Sequence, residues 1–264
     1  MAIDTIIDFD CIPKQNLTTE GILERLKGLE RARAIIKLFR ENGDDRPPSQ
    51  MGFELTRSTP EGEEETRLIV VQDLIDEAAE LDPMAHHCQG CPANRSGQPF
   101  GCMSFIQYPI SGDAERWLID RLPVPDEPLL WLLLKTGVEE FHYDGSSIRA
   151  LRGDQTYFEK PSGLTRRYGE FDFSTDQVFE MLLSVGPIIP NHAGILLLIF
   201  HIIPRNLEAD AIMSISPAPP DALERYPIRI QPEADDDSSI AGLKEFFAAL
   251  YTAWTLNVRL IVDA

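Results

Sequence analysis

The segment His86-His87-Cys88-Gln89-Gly90-Cys91-Pro92 holds two of the chain's four cysteines, and Cys102 follows eleven residues after Cys91. A Cys-x-x-Cys pair puts two sulfurs on one tight turn, and a third thiol returning to that turn can close on the same ion. Zinc takes four nitrogen or sulfur ligands in a tetrahedron, so the spacing reads as a metal knuckle with Cys88, Cys91 and Cys102 as three of them. Three residues compete for the fourth place. Cys11 ranks first, because it completes an all-thiolate site and accounts for every cysteine in the chain. His86 ranks second. His87 comes third, since the side chain of a residue adjacent to a ligand leaves the backbone in another direction.

The residues around these thiols suit a loop held by metal. Gly90, Pro92, Asn94, Ser96, Gly97, Pro99 and Gly101 build neither helix nor strand easily and offer little apolar surface, so bound metal is the expected source of order. Clustering in a Gly/Pro loop counts against the plainer alternative, that the cysteines are small buried hydrophobes. An iron–sulfur cluster ranks below zinc because the dense spacing of ferredoxin-type runs is missing. A redox pair would need a helix N-terminus behind its sulfur, and Pro92-Ala93-Asn94 can start at most a short turn. Four protein ligands would make the metal structural. Three ligands and a water would leave an open, catalytic position.

Other chemistry-bearing residues are sparse. His142 sits among carboxylates and an aromatic in Glu139-Glu140-Phe141-His142-Tyr143-Asp144, which reads as a solvated loop. His192 precedes an apolar run and His201 lies inside it, where a core position with one hydrogen-bond partner is expected. Lys160, Arg166 and Arg167 mark the best candidate for an anion-contacting loop. No Gly-rich phosphate loop, no Gly-x-Ser-x-Gly elbow and no His-Glu-x-x-His helix occurs in the sequence.

The charge balance narrows the partners. Against 24 basic residues stand 43 acidic ones, a formal net charge of -19, so phosphate backbones and anionic lipid are repelled. The densest basic patch, Arg31, Arg33, Lys37 and Arg40 with Glu30 and Glu41 beside it, reads as a solvated helix face. No secretory leader is visible in Met1-Ala2-Ile3-Asp4-Thr5, so a reducing, cytoplasmic setting without disulfides is the expectation. The longest uncharged stretch, residues 181–204, is interrupted by Pro187, Pro190, Asn191 and His192. Its most apolar part, Ala193 to Ile203, is short of the about 20 apolar residues that a membrane span needs, and it reads as a core element.

The elements that must position these residues follow from periodicity and turn chemistry. Residues 3–12 read as a strand carrying Cys11. A helix begins after a Thr18 cap, presents Ile22, Leu26, Leu29, Ala32, Ile36 and Phe39 on one face, and stops at Asn42-Gly43. Residues 53–56 and 67–71 read as paired strands around an acidic tip at 61–65, and a helix over 73–81 leads into the cysteines. A strand over 103–110 and helices over 114–121 and 128–136 follow, the latter started by Asp126 and stopped by Gly137. Loops and short strands are expected over 139–173, then a helix from a Ser174 cap to Ser184. Residues 193–203 are apolar on every side, so their periodicity does not separate helix from strand. Strands are expected at 211–215 and 227–230, and a last helix presents Leu243, Phe246, Phe247, Leu250, Trp254 and Val258.

Strands and helices mix without regular alternation, which points to an α+β fold with mixed or antiparallel sheets flanked by helices and a metal-stapled Gly/Pro-rich loop. The 264 residues are expected to form one unit, with a subdivision at 1–110 and 111–264 as the alternative. The function expected is that of a zinc-binding interaction or regulatory protein with another protein as its partner. A metal-dependent enzyme with its open zinc position near His86, His142 or His192 is the competing expectation, and a thiol-redox protein using Cys88 and Cys91 is the third.

Overall fold

The computed structural model describes residues 2–58, 64–153, 155–168, 171–183 and 186–263. Two units emerge, Asp10–Phe100 and a second made of Met1–Phe9 with Gly101–Ala264. The chain opens with strand β1 (Ala2–Ile7) of the larger unit. The smaller unit contains α1 (Ile12–Leu17), α2 (Thr19–Glu41), β2 (Gly52–Ser58), β3 (Glu64–Val70), α3 (Val71–Ala78) and α4 (Asp82–Ala85). The larger unit resumes with β4 (Met103–Gln107), α5 (Gly112–Ile119), α6 (Pro128–Glu140), α7 (Ser146–Leu151), β5 (Thr165–Tyr168), β6 (Phe171–Ser174) and α8 (Thr175–Leu183). It ends with β7 (Gly186–Ile188), α9 (Pro190–Ile199), α10 (Ala209–Met213), α11 (Ala222–Arg225), α12 (Ser238–Thr255) and β8 (Leu260–Asp263). The class is α+β, with antiparallel sheets flanked by helices.

In the smaller unit the long helix forms as its sequence signals demand. The Thr18 hydroxyl accepts the Gly21 N–H at 3.0 Å, meeting one of the donors a helix start leaves open. Gly43 stops the helix at φ 76°, a left-handed conformation without penalty for glycine. The face at Ala32, Ile35, Ile36 and Phe39 packs on Met51, Phe53, Val71, Leu74 and Ile75. Strands β2 and β3 pair from Gly52↔Val70 to Ser58↔Glu64, and the acidic tip expected at 61–65 lies, as far as Glu63, outside the described residues.

In the larger unit a four-stranded sheet runs in the order β4-β1-β8-β7. β1 sits inside it, paired from Ala2↔Gln107 to Ile6↔Met103 on one side and from Asp4↔Asp263 to Ile7↔Leu260 on the other. Helix α12 lies against β4, β1 and α9. Its Asp237 cap accepts the Ile240 N–H at 2.7 Å, and Leu243, Phe246, Phe247, Leu250 and Trp254 are wholly buried. Each such side chain contributes roughly 1.5–3 kcal/mol on leaving water, which makes this helix the keel of the unit. Polar ends are satisfied as well: Trp254 Nε1 donates to the Ile215 carbonyl and Tyr251 to the Tyr226 carbonyl, both at 2.9 Å.

Several expectations are corrected. The first strand ends at Ile7, and Cys11 sits at the cap of α1 because Pro13 suits a first helical turn. Helix α6 runs through Gly137 to Glu140, since a single glycine costs a helix about 1 kcal/mol and does not stop it. Of residues 193–203, those up to Ile199 belong to helix α9, opened by Pro190, and 200–203 turn away; a helix apolar on all sides belongs in a core. The strand expected at 211–215 is helix α10 with a turn after it, and 227–230 stays irregular. The cap at Ser174 holds: Gln177 N–H donates to the Ser174 hydroxyl at 3.3 Å while Ser174 N–H donates to Gln177 Oε1 at 3.0 Å, a reciprocal capping box. Its expected end at Ser184 lies outside the described residues.

Candidate functional site

Cys88 and Cys91 close a tight turn. Gln89 has φ −69° and ψ 126°, Gly90 has φ 69°, and the Cys91 N–H reaches the Cys88 carbonyl at 3.4 Å. This is a type II turn, and its third position requires a positive φ that glycine supplies without strain. Both sulfurs thus hang from one rigid elbow. Cys88 is buried and its Sγ accepts the Phe100 N–H at 3.2 Å, whereas Cys91 is half-buried.

The loop has order of its own. Asn94 Nδ2 donates to the carbonyls of Cys88 and Gln98 at 2.9 and 3.0 Å, and its Oδ1 accepts the Gly97 N–H at 3.1 Å. Ala93 and Phe100 are buried beneath. One amide side chain and two buried residues, neither of the latter among the seven small or turn-forming positions, thus order part of the loop.

The remaining candidate ligands are distributed as follows. Cys11, half-buried at the start of α1, belongs to the same unit as Cys88 and Cys91. His86 and His87 form a helical turn with Cys88, their rings 3.8 Å apart. Cys102 belongs to the larger unit, where its carbonyl accepts the Ile7 N–H at 3.0 Å. No disulfide links the four cysteines. Among the described residues, no three His, Cys, Asp or Glu side chains converge in a group able to hold a metal ion.

The other residues singled out by sequence are largely committed. Arg166 donates to the Ile119 carbonyl at 3.0 Å and lies over the Tyr168 ring, and Arg167 pairs with Asp172 at 3.1 Å. The basic face of α2 is exposed, with Lys37 and Arg40 paired to Glu41 and Asp45. His201 is not a core residue: just past α9 the backbone turns at φ 55°, and the exposed ring meets Arg229 Nη1 at 2.8 Å. Among the described residues no helix is long and apolar enough to cross a membrane.

Sequence reasoning missed two adjoining cavities in the larger unit. The first, about 380 Å³, lies between α6, β7 and α9; Leu134, Met181, Ile188, Leu196 and Ile199 line it, and Glu140, Tyr143 and His192 supply polar atoms. The second, about 460 Å³, is bounded by Tyr108, Phe158 and Glu180. Phe141 and Tyr143 belong to both walls, their rings stacked 5.9 Å apart. Burial, with Tyr157 adding to it, pushes the Tyr108 hydroxyl up to about 12, and burial together with Glu180 raises that of Tyr143. Both phenols therefore stay neutral donors. The signal for the first cavity was in the sequence only as apolar runs on either side of Gly137 and after Pro190, which packing alone would equally explain.

Beside them lies a buried ionic cluster. Arg152 donates to Glu115, and its Nε donates to Asp176 Oδ1 at 2.6 Å; all three side chains are almost wholly buried. Burial raises the Glu115 carboxyl above its ordinary value although Arg152 opposes the shift, and Glu115 Oε2 has no hydrogen-bond partner among the described residues. In comparisons with known proteins, no family model, no curated protein and no solved structure matches this chain.

Proposed function

We propose that the smaller unit is a metal-binding module, with zinc as the fitting ion, and that the protein serves as an interaction or regulatory protein rather than through chemistry at the ion. The observation that carries this reading is the elbow at Cys88 to Cys91 with the Phe100 N–H held 3.2 Å from Cys88 Sγ. Metal-bound sulfur is negatively charged, and hydrogen bonds from outside the ligand set orient it in this manner. The Cys88–Cys91 pair needs further ligands. Cys11 and His86 stand in the same unit, and Cys102 is two residues beyond Phe100 in sequence.

The test is metal analysis of the protein purified under reducing conditions, with Cys88→Ser, Cys102→Ser and Cys11→Ser in parallel. A structural zinc predicts about one equivalent in the wild type, lost in Cys88→Ser together with a large fall in melting temperature. Loss of metal with the melting temperature kept would shift the reading to an open catalytic site. Protein free of zinc and iron, with a Cys88–Cys91 disulfide forming reversibly, would replace it by a redox pair.

A further inference from the structure

Gly137 stands in the interior of α6, where glycine costs about 1 kcal/mol relative to alanine. Nothing in the surrounding protein demands it. A Cβ built there meets no atom within 4 Å, and the space it would enter is the 380 Å³ cavity that Gly137 helps to line. The helix thus forgoes stability at a place where a side chain would shrink an apolar hollow. Cavities that hold small molecules run from about 300 to 1,000 Å³ and combine an apolar lining with a few placed polar groups.

The polar groups give the ligand its charge. Among the described residues lining this cavity there is no lysine or arginine, and Glu140 is its one carboxylate. The nearest lysine on the same helix, Lys135, is engaged with Glu139 at 3.7 Å and with the Phe171 ring. Glu140 itself has no ion pair among the described residues. His192 stands at the rim against the edge of Phe141, the ring centroids 5.7 Å apart, and Tyr143 adds a neutral hydroxyl.

We propose that this cavity is a binding site for a small cationic amphiphile, an apolar body carrying a protonated amine, with the body against Gly137, Leu196 and Ile199 and the ammonium at Glu140. This site is independent of the thiol loop, so it stands or falls apart from the zinc reading.

Three probes sharing one body decide it: 4-phenylbutylamine, 4-phenylbutanol and 4-phenylbutyrate, titrated into the full chain by calorimetry. The amine is expected to bind saturably and about fivefold or more tighter than the carboxylate, in line with about 1 kcal/mol for a partly exposed charge pair. Glu140→Gln should erase that preference and leave the alcohol unchanged. Gly137→Leu should abolish binding of all three while its melting temperature holds or rises. Gly137→Ala, which adds one methyl, should weaken binding in the same direction if the leucine disturbs folding. No saturable binding by any probe overturns the proposal, as does a carboxylate that binds as tightly as the amine, or full affinity in both Gly137 variants.

Discussion

The Ser111 hydroxyl donates to Asp237 Oδ2 at 2.5 Å, and each of these two residues caps a different helix. Ser111 Oγ also accepts the Ala114 N–H at 3.0 Å at the start of α5, and Asp237 Oδ1 accepts the Ile240 N–H at the start of α12. Two helix beginnings are thereby tied together, with Ser239 Oγ closing the corner onto the Ser111 N–H and the Pro109 carbonyl.

Removing either cap should cost about 1–2 kcal/mol. Because the two side chains also bond to each other, the double substitution Ser111→Ala, Asp237→Ala should cost less than the sum of the singles, by about 0.5 kcal/mol or more. Urea denaturation of the four members of the cycle measures that difference, and strict additivity would show the bond to be energetically silent.

Arg152 is the sole cation of the buried cluster with Glu115 and Asp176 among the described residues. Arg152→Met leaves two carboxylates in a dry interior and should cost about 3–5 kcal/mol. The pH dependence has a definite sign. The Glu115 carboxyl lies above its ordinary 4.5 in the fold, so its contribution to stability is full below 4.5 and is lost as pH rises through the folded value. Glu115→Gln does not titrate. Its stability relative to wild type should therefore improve as pH climbs above 4.5, which chemical denaturation at a series of pH values would show.

His201 reports in the opposite direction. Partial loss of water around the ring, then the charges of Arg205 and Arg229, lower its imidazole below the ordinary 6.5. The fold prefers the neutral ring, so stability is fully present above 6.5 and falls as pH drops from there toward the folded value. His201→Asn tolerates the left-handed backbone at φ 55° and does not ionise. Thermal melts of this variant should lose the component of acid sensitivity that sets in just below pH 6.5 in the wild type.

Two helical glycines should respond with opposite signs to the same change. Gly137→Ala enters open space and should stabilise the protein by about 0.5–1 kcal/mol. Gly194→Ala in α9 would place its methyl 3.1 Å from Trp254 Nε1 and 3.3 Å from Ile215 Cγ2, pressing on the hydrogen bond that holds the indole to Ile215. Overpacking of this kind costs about 1–3 kcal/mol. Equal effects at both positions would deny that their surroundings differ.

What the sequence determined by itself was local. The Thr18 cap and Gly43 stop of α2, the Ser174 box, the β2–β3 pair and the apolar face of α12 all follow from interactions within a few residues or from one dominant period. Cys88 to Cys91 was legible as a tight turn for the same reason, because Gly90 encodes the required backbone. Tertiary structure decided the rest. Whether 193–203 is helix or strand depends on what surrounds an element that is apolar on every face, and α12 supplies the answer. Whether Gly137 ends a helix or hollows one depends on atoms many residues away. So does the meeting of Arg152 with Glu115 and Asp176, since charged residues carry no period that announces burial; a partner from elsewhere in the chain must come first to offset the desolvation.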